Sequence, residues 1–130
     1  MTPPRVLLAE DDADLRGLLA AALRADGFEV VEAATGPELV AAIASSLMGV
    51  GGAPPPAVIV TDIRMPGKSG LEVIAGMRGV DVTTPVILIT GFGDAAARDQ
   101  ARRLGVAAIF DKPFDLDELR AAVRGLVGTS

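Results

Sequence analysis

Residues 57–70 read Ala57-Val58-Ile59-Val60-Thr61-Asp62-Ile63-Arg64-Met65-Pro66-Gly67-Lys68-Ser69-Gly70. The run from Ala57 to Val60 has no polar alternate position, which predicts a strand buried on both faces. It ends at Thr61 and then a carboxylate, Asp62, after which a proline and two glycines follow within eight positions. These residues stop the chain from continuing regularly.

The same grammar repeats outward in both directions. Arg5–Ala9, Phe28–Ala33, Pro85–Thr90 ("PVILIT") and Ala107–Phe110 are further short apolar runs. Between them lie helical spacings. Leu15, Leu18, Leu19, Ala22 and Leu23 mark Asp14–Ala25, with Gly27 as a stop. A second helix opens at Gly36-Pro37-Glu38 and runs through Leu39, Val40, Ile43 and Leu47. Leu71–Arg78, the polar segment Asp94–Leu104, and Asp115–Val127 with Leu116, Leu119, Val123 and Leu126 on one face complete the set. Gly49–Pro56, "GVGGAPPP", reads as a surface loop too short to separate two domains. Five apolar strands alternating with five helices predict an α/β doubly wound domain with a five-stranded parallel sheet, and 130 residues bound it as one domain, 1–130. In such sheets sites form outside the carboxyl ends of the strands.

Composition narrows the chemistry. Cys and His are both absent, which removes thiol chemistry, disulfides, zinc sites and imidazole catalysis. The net charge of −5 and the four Phe as sole aromatics oppose direct nucleic-acid binding and a polybasic membrane patch. Leu39–Thr61 is uncharged, but its glycines and Pro54-Pro55-Pro56 break any spanning helix. No signal-peptide core develops before Glu10, so a cytoplasmic protein is expected.

The strand ends carry Glu10 and Asp11, then Asp62, then Thr90, then Lys112. Singly, each has a plain structural account: Asp11 or Asp12 caps a helix, Thr90 is a strand-end hydroxyl, Lys112-Pro113 is a solvated turn. Together they put three carboxylates on one edge, where mutual repulsion calls for a shared cation. A hard divalent ion, Mg²⁺ above all, suits such oxygens, with Lys112 as counter-charge without it.

The chain resembles the receiver domain of two-component response regulators, through "VLLAEDDADLR", "VIVTDIRMPGKSGLEVI", "PVILITGFGDA" and "DKPFDLDEL". The resemblance implies a CheY-like (flavodoxin-like) (βα)5 sheet in 2-1-3-4-5 order. It implies that Asp62 is the phosphoacceptor, that Glu10, Asp11, Asp62 and the backbone carbonyl of Arg64 hold Mg²⁺, that Thr90 bonds a phosphoryl oxygen, and that Lys112 pairs with Asp62 or the phosphoryl group. The donor would be a sensor histidine kinase or a histidine phosphotransfer protein. Such a chain catalyses only its own phosphorylation and dephosphorylation, and acts as a monomer or a weak phosphorylation-dependent dimer. An output partner or domain would read the phosphorylated state.

Two departures and three rivals complete the reading. Ile109 stands where the family usually has Tyr or Phe, so coupling would run through the backbone after Thr90 and the fourth helix, with Phe92 as a helper; the "GVGGAPPP" loop is longer than receivers commonly have. The face of the fourth helix, fifth strand and fifth helix, with Arg98, Arg102, Arg103, Asp111, Glu118 and Arg124, is the expected docking surface. A degenerate receiver acting only as an interaction module is the first rival. A haloacid-dehalogenase-type phosphatase needs a second Asp where Arg64 stands, and a flavodoxin-like carrier would suffer repulsion between Glu10-Asp11-Asp12 and the flavin phosphate.

Overall fold

The computed structural model describes residues 3–52, 54–91 and 94–128. Strands β1 (Arg5–Ala9), β2 (Glu29–Ala33), β3 (Val58–Asp62), β4 (Val86–Thr90) and β5 (Ala108–Asp111) form one sheet in the order β2-β1-β3-β4-β5. Every pairing is parallel. Helices α1 (Ala13–Ala25), α2 (Gly36–Leu47), α3 (Gly70–Met77), α4 (Ala95–Arg103) and α5 (Leu116–Val127) make the crossovers. Phe92 lies outside the described residues.

Strand alternation divides the core into two layers. Leu7, Ile59 and Leu88 point to a cluster with Leu39 and Ile43 of α2, Ile74 and Met77 of α3, and Ala97 and Ala101 of α4. Leu8, Val60 and Ile89 point the other way, to Leu19 and Leu23 of α1 and Leu119 and Val123 of α5. β3 and β4 are buried at every residue, as strands without a polar alternate must be.

Each helix starts on a side-chain cap: Asp12, Thr35, Ser69, Asp94 and Asp115 accept from main-chain amides of the first turn. Asp12, rather than Asp11, caps α1. In the long loop, Gly49, Gly51 and Gly52 take positive φ around a short 3₁₀ turn, Val50–Gly52.

α5 is tied to the end of α1. Arg120 grips Asp26 through Nε (2.9 Å) and Nη2 (2.6 Å), and Arg124 Nη1 adds a third bond at 3.2 Å. The Arg120 guanidinium holds the Asp26 carboxyl below the usual range. Arg124 holds Asp26 from the exposed surface of α5, where the docking face was expected. On that face, Arg98 of α4 is paired with Asp111 of β5.

The turn into β4 is built on Asp81, which accepts from the Thr83 amide (2.9 Å) and hydroxyl (3.0 Å), the Thr84 amide (3.2 Å) and the Thr84 hydroxyl. Burial pushes this carboxyl up, but the Thr84 and Thr83 hydrogen bonds outweigh it and hold it at about 2. A depressed acid contributes stability above its ordinary value and loses it as pH falls through the folded value. Asp81→Asn is expected to cost about 1–2 kcal/mol at pH 7. The gap between the two proteins, followed by circular dichroism in urea, should close between pH 4 and pH 2; a gap constant across that window refutes the assignment.

Candidate functional site

The carboxyl edge of the sheet brings the expected charges together. Glu10 follows β1 directly and is fully buried. Its amide donates to Ala33 O (3.0 Å) at the end of β2, which locks the turn to the neighbouring strand. Its Oε2 accepts from the Asp12 amide at 3.1 Å. Asp62 is the last residue of β3, 4% exposed, and its Oδ1 accepts from the Arg64 amide at 3.3 Å. Asp11 is exposed, and one carboxylate oxygen each of Glu10, Asp11 and Asp62 lies within 4.8 Å of the others.

Lys112 answers this negative charge. Its Nζ lies 2.6 Å from Asp62 Oδ2 and 2.9 Å from Glu10 Oε1. The first is a well-aligned hydrogen bond; the second is an ion pair off the hydrogen-bond direction, so buried Oε1 keeps no aligned donor. Burial pushes the Glu10 carboxyl up to about 7, against the Asp12 amide and Lys112 and with help from Asp11 and Asp62. For Lys112, burial pulls down, but Asp62 and Glu10 outweigh it and hold the ammonium above its usual range.

Thr90 closes β4 beside this group, 1% exposed. Register pairs Asp62 with Ile89 and Thr90 with Asp111. The Lys112 amide donates to Thr90 O at 2.8 Å, so the strand-end hydroxyl and the lysine share a backbone link. The Thr90 hydroxyl itself donates to Gly91 O at 3.0 Å.

The loop after Asp62 clears the edge because two glycines allow close approach. Gly70 donates to Ile63 O (2.8 Å), and a Cβ there would run into the carbonyl of Asp62; a Cβ at Gly36 would run into the carbonyl of Lys68. Arg64 points outward, 83% exposed, with Nη2 3.6 Å from Asp94 Oδ2. A guanidinium turned to solvent is no general acid, and this disfavours the phosphatase reading.

Ile109 packs among the α2–α4 layer, whereas Phe110 faces the α1/α5 layer, edge-on to Phe114 at 6.3 Å. The aromatic ring of β5 thus sits on the opposite face of the sheet from α4. The sequence reading missed Arg16, whose Nη1 donates to Glu10 O at 2.8 Å. A cation in the first turn of α1, a place that ordinarily suits acids, is the signal that was there to read.

An acid at the end of a central parallel strand, paired with a lysine from the last one and flanked by two more acids, defines a receiver of the two-component type, and the chain belongs to that family: the response regulator receiver domain model matches residues 6–124. Among its relatives, sporulation initiation phosphotransferase F of Bacillus subtilis is 27% identical over 95% of this chain and 94% of its own length. The transcriptional regulatory protein TrcR of Mycobacterium tuberculosis is 36% identical over 99% of this chain, and the C4-dicarboxylate transport transcriptional regulatory protein DctD of Pseudomonas aeruginosa 38% over 92%. This chain spans 47% and 24% of those two proteins. A response regulator receiver protein from Pseudomonas putida superposes with a TM-score of 0.80 at 26% identity, covering 96% of this chain and 98% of that one. A CheY-like receiver from Methanospirillum hungatei reaches 0.85 at 21% identity over 97% and 94%, a likeness of fold.

Proposed function

We propose that Asp62 is the phosphoacceptor of a two-component relay, taking its phosphoryl group from a phosphohistidine on a sensor kinase or phosphotransfer protein. The observation that carries this reading is Lys112 bridging buried Asp62 and Glu10 beside a third acid. This chain has no His, so the phosphohistidine must come from the partner.

The residues fit a hard divalent cation. The side-chain donors are all carboxylate, three within reach of one another, and Glu10 Oε1 is a buried oxygen without an aligned donor. Glu10, Asp11, Asp62 and the Arg64 carbonyl would hold Mg²⁺, which when bound neutralises phosphoryl charge and orients the group. The chain's own residues do the rest. An Asp62 carboxylate oxygen attacks phosphorus in line; the O–P bond forms, the P–N bond breaks, and its electron pair returns to the partner's imidazole. Lys112 stays beside the acyl phosphate as counter-charge. Thr90 turns its hydroxyl from Gly91 O to a phosphoryl oxygen, and its backbone link to Lys112 carries the change toward β5 and α4. The face of α4, β5 and α5 is then the surface a partner or second copy reads.

The chain acts on this reading as one receiver unit, cytoplasmic, without direct contact to nucleic acid. Among the described residues no helix is long and apolar enough to cross a membrane. Incubation with acetyl phosphate and Mg²⁺ should add the mass of one phosphoryl group, and EDTA should prevent it. An unchanged mass, with the donor active on another receiver, would make the protein an interaction module. Steady hydrolysis of para-nitrophenyl phosphate would point to a phosphatase instead.

A further inference from the structure

We propose that Arg16 is a positioning residue for the cation site: it fixes the Glu10–Asp11 turn through the main chain and so sets the affinity for a divalent ion. The inference rests on the phosphoacceptor reading above.

Arg16 works with both ends of its guanidinium. Nη1 donates to Glu10 O (2.8 Å), while Nε donates to Glu32 Oε1 (3.3 Å) near the end of β2. Glu32 is itself steadied by Arg24 Nη2 at 3.1 Å. The Arg16 side chain is only 20% exposed, so the fork is held and not waving in solvent. A planar group with fixed donors suits this double duty; an ammonium on a flexible stem does not.

The Glu10 main chain is thereby clamped at both ends, its amide on Ala33 O and its carbonyl on Arg16. Arg16 makes no hydrogen bond to the Glu10 carboxylate, which meets the Asp12 amide and Lys112. Its influence therefore passes through backbone placement. That placement matters most for Asp11, an exposed carboxylate that goes where the turn puts it. Groups that orient metal ligands from behind typically change affinity 10–100-fold when removed.

Mg²⁺ titration of the EDTA-stripped, dialysed chain by isothermal calorimetry tests this, alongside thermal unfolding in EDTA. Arg16→Ala should weaken Mg²⁺ binding about 10-fold. Arg16→Lys should recover part of that loss, and Glu32→Gln, which leaves the bond to Glu10 intact, should show a smaller loss than Arg16→Ala. A lowered melting temperature with unchanged Mg²⁺ affinity in Arg16→Ala and Arg16→Lys would mean a merely structural arginine and overturn the proposal. If the wild-type chain binds no Mg²⁺, the phosphoacceptor reading falls, and the proposal with it; a wild type that binds beside variants that bind equally well sinks the proposal alone.

Discussion

Asp62→Asn should gain no phosphoryl mass from acetyl phosphate and Mg²⁺ under conditions that fully modify the wild-type chain. An amide oxygen is too weak a nucleophile toward phosphorus, and the neighbouring acids do not replace it: the Glu10 carboxylate is wholly buried and accepts from the Asp12 amide, and Asp11 has no ion pair with Lys112. The loss should exceed about 10³-fold in rate, the scale expected when a nucleophile itself is removed. The variant should also stay folded. Replacing one of three crowded carboxylates by its neutral isostere lowers their mutual repulsion, and Lys112 keeps Glu10 as a partner. Its urea midpoint in metal-free buffer is therefore expected at or above that of the wild type. Residual phosphorylation at near-wild-type rate would transfer the acceptor role elsewhere.

Lys112→Ala should have the largest effect on stability. The ammonium is the shared counter-charge of Asp62, with a 6% exposed side chain, and of Glu10, whose side chain is wholly buried. Removing one partner of a fully buried pair costs about 3–5 kcal/mol. Lys112 itself is a third exposed, so solvent screens part of that loss and about 2–3 kcal/mol is expected without metal. Millimolar Mg²⁺ should restore part of the lost stability, because a divalent cation answers the same carboxylates. The chain has no Trp or Tyr, so unfolding is best followed by far-ultraviolet circular dichroism. A variant as stable as the wild type in EDTA would show that the ion pairs contribute nothing net.

Much of this is legible in the sequence alone. β3 and β4 announce themselves because a strand buried on both faces must be apolar at every position. The boundaries slip by one residue for a physical reason. Asp62 and Asp111 look like strand stops, yet their backbones still pair with Ile89 and Thr90, since a ladder needs only amides and carbonyls. Glu10, Asp11, Asp62 and Lys112 converge as their strand ends imply. Contacts between distant segments were not legible. Arg124 reads as an unpaired surface charge until α5 lies against α1 and Asp26 meets it. Arg16 reads as one more helix charge until β2 brings Glu32 alongside. Such pairs depend on how layers face one another, which periodicity does not encode. α4 shows the limit most clearly: its polar, alanine-rich sequence predicts a helix, but only Ala97 and Ala101 are buried, and nothing local says against what.

The parallel direction of all five strands has a last consequence, for the field at the site. Every helix begins at the same edge of the sheet, so five sets of aligned peptide dipoles turn their positive ends toward it. The backbone itself thus favours anions there before any metal or lysine is counted. Acids along this edge consequently have two occupations. Asp12, Asp94 and Asp115 spend their oxygens on first-turn amides. Glu10, Asp11 and Asp62 cap no helix, and their oxygens are left to Lys112 and to whatever arrives from solution.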